Sequence, residues 1–185
     1  MRASVLVLLS LITPHPACFG ETNHALNFGS TQGVWWQQQY FEGTRCRDGL
    51  TCNRINSVSG TDEPALFESH IEGPFDLERV VPNSTYDVTL FLAEPGDAAQ
   101  NARTFDVMIQ NEPVIKALDV MRYRDGQAKS ALTVTLLGIR VTEQRFLLEL
   151  RAGSGNPLLS GLYLASKKTQ YETCDKVGTG LAGAV

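Results

Sequence analysis

Histidine, cysteine and the motifs of common enzyme classes are scarce in this sequence. Its 185 residues include three histidines, and two of them, His24 and His70, lie too far apart for an H-x-x-x-H zinc site. No G-x-S-x-G sequence, phosphate-binding loop or heptad repeat occurs. We therefore expect a protein that is not an enzyme and that uses neither a metal nor another cofactor.

Positive charge is also in short supply. The chain carries 16 Lys and Arg against 20 Asp and Glu, which gives a net charge of −4. It has no basic stripe, and its one cluster of basic residues is the pair Lys167 and Lys168. Neither nucleic acid nor an anionic membrane surface is therefore expected as a partner.

Long apolar runs are missing as well. The run over residues 5–12 is far shorter than the ~20 residues of a membrane-spanning helix. It follows an early arginine and precedes two prolines, an order typical of a secretory signal peptide. We expect residues 1–20 to be removed, by cleavage after Gly20 or after Ala17, and the protein to be secreted or exported. A lipoprotein anchored at Cys18 is the alternative.

The four cysteines fit an oxidising compartment. Cys46 and Cys52 enclose the turn-forming sequence CRDGLTC, and no further metal ligands lie nearby. We predict a disulfide between them rather than a metal site. Cys174 is then left over: it is free, pairs between chains, or pairs with Cys18 if cleavage falls earlier.

Asn83 is a candidate glycosylation site. It opens the sequon NST directly after Pro82, in what the sequence indicates is a surface turn. If the organism glycosylates its proteins, Asn83 marks an exposed edge away from any binding face.

Alternation of apolar and polar residues recurs along the chain, whereas helical periodicity is rare. In the stretch YDVTLFLAE (86–94), Tyr86, Val88, Leu90 and Leu92 share one face, and Phe91 lies on the other. Apolar residues on both faces predict a central strand.

Eight or nine such segments predict an all-β fold, a jelly-roll-like antiparallel β-sandwich. The domain is expected over residues 21–168, with a flexible tail over 169–185. The other predicted strands cover residues 24–29, 73–81, 103–110, 114–120, 131–142, 145–153 and 157–166. We expect 131–142 and 145–153 to form a hairpin around TEQ, 34–43 to be a loop or short turn, and 64–70 to be a strand or the start of a loop.

An ordered series of segments resembles the malectin domain family. YDVTLFLAE is similar to the family's Y-x-V-x-L-x-F-A-E strand, RTFDVMIQNEPVI to its R-x-F-D-V strand, and FLLELRAGSGNPLLSGLYL to its closing strand. The family's segment before the first of these strands is similar to SGTDEPALFESHIEGPFDLERVVPNSTYDV. WWQQQYFEGT resembles its amino-terminal stretch, with Gln39 where an aspartate is usual. The resemblance covers about residues 24–166 and implies a sandwich of malectin or galactose-binding type that binds carbohydrate or serves extracellular recognition.

The resemblance carries over little of the family's sugar site. The animal founder of the family is a lectin. The resemblance matches one of its sugar-stacking tyrosines to Phe67, and its Tyr-Phe pair falls near Pro95 and Gly96. Its late aspartate matches Gly155, and its first tyrosine falls within residues 45–50. One aromatic of the set is therefore retained, so the ligand of the animal lectin does not follow from the resemblance.

The candidate carbohydrate-binding residues are Phe67, Trp35, Trp36, Asp97, Asn101 and Arg103. Phe67 is either a sugar platform or a core anchor. The adjacent tryptophans are expected to point in opposite directions, so that at least one is a candidate for exposure. Arg103 either pairs with Glu94 across the loop or contacts ligand hydroxyls.

From these residues we expect a secreted, non-catalytic, lectin-like module. Its partner would be a glycan, either an oligosaccharide or a glycoprotein, bound by loops at one end of the sandwich. The alternative is a protein-recognition ectodomain or structural surface protein that uses the same loops to meet a protein partner.

Overall fold

The computed structural model describes residues 23–167, and their regular structure is almost entirely β. The predicted signal peptide, the predicted tail, Cys18 and Cys174 fall outside the described residues. The strands are β1 (His24–Asn27), β2 (Val34–Trp36), β3 (Gln39–Gly43), β4 (Thr51–Arg54), β5 (Ser69–Glu72), β6 (Phe75–Val80), β7 (Ser84–Ala93), β8 (Thr104–Ile109), β9 (Glu112–Leu118), β10 (Ala131–Val141), β11 (Arg145–Ser154), β12 (Leu158–Leu159) and β13 (Gly161–Ser166). A 3₁₀ helix covers Pro64–Leu66, and a one-turn helix, α1, covers Val120–Tyr123. No helix within residues 23–167 is long and apolar enough to cross a membrane.

The strands form three sheets, and the predicted antiparallel sandwich is confirmed. One sheet has the order β10-β7-β13-β1-β3-β2, the second has the order β6-β11-β8-β9, and a small third sheet has the order β12-β5-β4. The neighbouring strands β1 and β3 run parallel. The described residues hold 13 strands rather than eight or nine, because the additional strands have only two to five residues and are too short to show a period.

The main core lies between the first two sheets. Tyr86, Val88, Leu90 and Leu92 of β7 are all buried in it, as their alternation predicts. They meet the inward-facing residues of the second sheet, which include Phe105, Val107, Ile109, Phe146, Leu148 and Leu150. β7 lies between β10 and β13, so its predicted central position is confirmed.

A second apolar cluster covers part of the outer face of the same sheet. Its centre is Phe91 of β7, whose ring lies 4.8 Å from that of Trp36, 5.4 Å from that of Phe41 and 5.7 Å from that of Phe67, measured between centroids. These rings come from the hairpin β2–β3 and from the segment after the 3₁₀ helix. Both faces of β7 are therefore covered, which is why this strand carries apolar residues at successive positions.

The predicted hairpin around TEQ is wrong. β10 pairs with β7 in the first sheet, whereas β11 pairs with β6 and β8 in the second. The short connection instead carries the chain from one sheet to the other. Val141 and Phe146, on either side of it, are both buried in the core between the sheets. Local alternation is the same for a hairpin and for a corner between sheets, so it does not distinguish them.

Residues 34–43, expected to be a loop or short turn, form the hairpin β2–β3. Trp35 faces Tyr40 in its register. The turn residues Gln37 and Gln38 have φ angles of 43° and 66°, the conformation of a tight hairpin turn. Glycine or asparagine usually marks such a turn, so two glutamines give no hairpin signal. Residues 64–70 combine the 3₁₀ helix with the start of β5.

The predicted disulfide between Cys46 and Cys52 is confirmed, and its Cα atoms lie 5.9 Å apart. It closes a loop with a sequence separation of 6 residues. Such a short loop restricts the unfolded chain only modestly. We expect the double substitution of both cysteines by alanine to lower the free energy of unfolding by about 2 kcal/mol. Urea denaturation of the oxidised protein measures this loss, and reduced wild type should match the variant. Identical curves for oxidised wild type and variant would contradict the expectation.

Candidate functional site

Arg103 connects three segments at one end of the sandwich. Its Nε donates a hydrogen bond of 2.9 Å to Glu94 Oε2, so the predicted ion pair across the loop is confirmed. Another guanidinium nitrogen donates to the carbonyl oxygen of Asn156, and a third contact of 3.7 Å reaches Glu72 Oε1. The β7–β8 loop (94–103) and the β11–β12 connection (155–157) are thereby fixed to each other. Together with α1, these two segments are called the loop end.

Two ionisable side chains beneath the loop end, those of Glu94 and His70, are buried. Glu94 is 2% exposed, and burial raises the pKa of its carboxyl group although Arg103 acts to lower it. His70 is also buried, and its Nε2 lies 3.1 Å from Glu72 Oε1. Burial lowers the pKa of His70, and Glu72 only partly offsets that effect. Although acids and a histidine approach each other here, residues 23–167 contain no group of three His, Cys, Asp or Glu that could hold a metal ion.

Asp119 fixes the β7–β8 loop from the other side. Its buried carboxylate accepts a hydrogen bond of 2.6 Å from the backbone N–H of Asn101. The second oxygen accepts one of 3.2 Å from the backbone N–H of Arg122 and so caps the start of α1. Asn101 itself has a φ of 66° and is exposed, as is Asp97. One carboxylate therefore holds both the loop and the helix in place.

Tyr123 is an exposed aromatic of the loop end that sequence reasoning missed. It is 61% exposed. Its backbone N–H donates a hydrogen bond of 3.2 Å to the carbonyl oxygen of Asp119, which ties Tyr123 to the capping residue of α1. The available signal was the capping aspartate before VMRY, but four residues are too few to show a helical period.

The aromatic candidates belong to segments other than those of the loop end. Phe67 is 1% exposed and packs on Phe91, so its ring is a core anchor and offers no face to a sugar. Trp36 also packs on Phe91 and is partly buried. Trp35 points the other way, is 67% exposed and stacks on Tyr40 at 5.3 Å. Of the six candidates, the structure brings Asp97, Asn101 and Arg103 together in one loop, and it places the aromatics in the second cluster and the β2–β3 hairpin.

Asn83 lies at the opposite end of β7 from the loop end. It is exposed, and its Oδ1 accepts a hydrogen bond of 2.7 Å from the backbone N–H of Gln144. β7 has 10 residues, so its two ends are about 30 Å apart at the rise of an extended strand. Its glycosylation stays a prediction.

The fold is shared with larger proteins. A chain in the complex of the plant peptide RALF23 with FER and LLG2 has a TM-score of 0.70 and 13% identity, over 80% of this chain and 49% of that one. The extracellular domain of ANXUR1 from Arabidopsis thaliana has a TM-score of 0.66 and 12% identity, over 79% and 48%. A β-glucuronidase from Bacteroides uniformis has a TM-score of 0.69 and 17% identity, over 78% and 18%. This chain therefore spans at most about half the length of these proteins.

No curated protein matches the chain in sequence. The model of the malectin domain matches residues 21–162, which is most of the chain. The expected resemblance is thereby confirmed along with the fold, and the chain belongs to the malectin domain family.

Proposed function

We propose that this protein is a secreted, non-catalytic, lectin-like module that binds glycan at the loop end. The observation that carries this proposal is the way buried charges hold an exposed polar loop. Arg103 and Asp119 fix the β7–β8 loop at two points, and the loop presents Asp97 and Asn101 to solvent. A loop that is already ordered pays less entropy when it binds a ligand.

The chemistry of the loop end suits a sugar. The carboxylate of Asp97 and the amide of Asn101 are hydrogen-bonding partners for sugar hydroxyls. The exposed ring of Tyr123 offers a flat face to the apolar C–H side of a sugar ring, and its hydroxyl adds a polar tip. Arg103 is already paired and only slightly exposed, so its role is to position the loops rather than to contact ligand.

An extracellular location is supported by independent features. The first 20 residues have the order of a signal peptide, and Cys46 and Cys52 form a disulfide, which an oxidising compartment favours. One protein of the same fold is itself described as an extracellular domain.

Protein recognition is the second candidate function. Trp35 and Tyr40 form an exposed aromatic pair on the β2–β3 hairpin, and exposed aromatic residues are enriched at protein interfaces. Another protein of the same fold is in a complex that includes a peptide, RALF23. In this candidate, the hairpin rather than the loop end carries the contact.

A glycan array with three forms of the full chain tests the proposal. Wild type should bind a defined set of glycans, and Tyr123→Ala should reduce that binding about tenfold through the loss of stacking. Trp35→Ala is the matched control, because it removes an equally exposed aromatic outside the loop end and should leave binding unchanged. Circular dichroism checks that each variant is folded.

Two results would contradict the proposal. A blank array with folded wild type excludes glycan as the ligand and favours a protein partner. Loss of binding in Trp35→Ala with full binding in Tyr123→Ala moves the site from the loop end to the hairpin.

A further inference from the structure

Folding brings Arg79 close to two arginines that lie more than 30 residues earlier in the sequence. Arg45 and Arg47 lie in the connection between β3 and β4, and Arg79 lies near the end of β6. They line one cavity of about 60 Å³ at the side of the sandwich. Thr44 and apolar side chains, Phe28 and Leu77 among them, form the rest of its wall. This arginine cavity is built from elements other than those of the loop end.

Arg79 occupies a position where an apolar residue is expected. In β6, Phe75 and Leu77 point into the core, and Arg79 is the next residue on that inward face. Its Nε is buried and has no hydrogen-bond partner among the described residues. A buried donor without a partner costs about 1–3 kcal/mol, and more when it carries charge. A bound acceptor would remove that cost.

A second polar group in the cavity wall also lacks a hydrogen bond: Thr44 Oγ1 is buried without a partner within residues 23–167. His24 does not line the cavity but interacts with Arg79. Its Nε2 is buried without a partner among the described residues, and burial and the charge of Arg79 lower its pKa. Arg45 forms no ion pair within the described range. Glu42 is the acid that acts on His24 from the neighbouring strand β3.

Arg47 is held in position by the protein itself. One of its guanidinium nitrogens donates a hydrogen bond of 2.7 Å to the carbonyl oxygen of Asp76. The guanidinium carbon lies 5.7 Å above the ring of Phe75, a cation–π contact. The remaining N–H groups of Arg47 are therefore presented by a pre-ordered side chain.

We propose that the arginine cavity binds the oxyanion group, a carboxylate or a sulfate, of an acidic sugar. Guanidinium groups bind such oxyanions through paired N–H donors. The cavity volume of about 60 Å³ corresponds to roughly two water molecules at ~30 Å³ each, which suits one oxyanion group. The proposal rests on the proposed glycan-binding function for its ligand class and assigns it a separate surface.

A polar groove beside the cavity accounts for the rest of the ligand. It has a volume of about 370 Å³ and shares Thr44 with the cavity. Its other lining residues, among them Ser30, Thr31, Gln32 and Arg54, bear hydroxyl, amide and guanidinium groups. Such groups form hydrogen bonds with sugar hydroxyls. When the oxyanion lies in the cavity, the sugar ring that carries it would therefore lie against this polar groove.

Binding of matched acidic and neutral disaccharides tests the proposal. Sulfated lactose is compared with lactose, and cellobiouronic acid with cellobiose, by titration calorimetry on the full chain. The acidic member of at least one pair should bind at least about tenfold more tightly, as a charge-assisted hydrogen bond predicts. The pair that shows the larger difference in affinity identifies the bound group as a sulfate or a carboxylate. Added salt should weaken that binding.

Arg45→Gln and Arg79→Gln should each abolish the preference for the acidic sugar. Arg45 is exposed, so its variant keeps the test decisive even if Arg79→Gln fails to fold. Arg140→Gln is the matched control, because it removes an exposed arginine from β10 and should leave the preference intact.

Equal binding of acidic and neutral sugars, no binding of any of the four, or a preference that survives both arginine substitutions would overturn the arginine cavity as a site. Loss of acidic-sugar binding in Tyr123→Ala, with no loss in the arginine variants, would do the same and place the ligand at the loop end. If acidic sugars bind in a way that depends on Arg45 while the array shows no binding of neutral glycans, the arginine cavity is supported. Only the proposal of a glycan site at the loop end is then refuted.

Discussion

Replacement of Arg103 by methionine should destabilise the protein by about 3–5 kcal/mol, because it leaves the buried carboxylate of Glu94 without its partner. Loss of the guanidinium group also removes the hydrogen bond to the carbonyl oxygen of Asn156, and with it the contact between the two loops of the loop end. Urea denaturation at neutral pH measures the effect. Arg145→Met is the control: it breaks a well-formed but exposed pair with Glu78 and should change stability little.

The difference in free energy of unfolding between wild type and Arg103→Met should become smaller at acidic pH. Burial raises the pKa of Glu94 from a usual value of 4.5, so Glu94 contributes stability that is full below 4.5 and is lost as pH rises through its folded pKa. Removing Arg103 raises that pKa further, because the positive charge no longer favours the carboxylate. At about pH 4 Glu94 is largely protonated in the folded state and needs no counter-charge. A deficit that is equal at acidic and neutral pH would show that Arg103 acts through packing rather than charge.

Phe91→Ala should also destabilise the protein by about 3–5 kcal/mol, the usual cost of removing a large buried ring. The rings of Trp36, Phe41 and Phe67 all lie within 5.7 Å of the Phe91 ring. No single neighbour can fill the space, since each is held by its own strand or helix. Thermal denaturation followed by near-ultraviolet circular dichroism measures both the loss and the altered setting of Trp36.

Leu137→Ala is the control for Phe91→Ala, because Leu137 lies in β10 and is 71% exposed. It should change stability by less than about 0.5 kcal/mol. A loss below about 1 kcal/mol in Phe91→Ala would mean that the second cluster repacks around the cavity and contributes little to the fold.

The long strands could be predicted from the sequence because each carries its own pattern. β7 and β8 alternate over 10 and 6 residues, and their inward faces are those that the structure buries. Pairing could not be predicted in the same way. The connection after β10 is as short as a hairpin turn, yet it joins two sheets, since the partner of each strand lies more than 30 residues away in the sequence.

The candidate site was predictable only in part. The ion pair of Glu94 and Arg103 followed from two charges at the ends of one loop, so local sequence was sufficient. Tyr123 was missed because it lies in a helix of four residues, which is too short to show a helical period. The arginine cavity was missed because nothing in the sequence near Arg79 indicates that β6 will meet the β3–β4 connection.

β7 contributes side chains to both apolar clusters, and this restricts how the domain can unfold locally. Its even-numbered residues from Tyr86 to Leu92 belong to the core between the sheets, while Phe91 and Ala93 belong to the second cluster. Neither cluster can lose its packing without exposing one face of this strand. The two clusters are therefore coupled into one cooperative unit, and the β7–β8 loop begins directly at the end of the strand that they share.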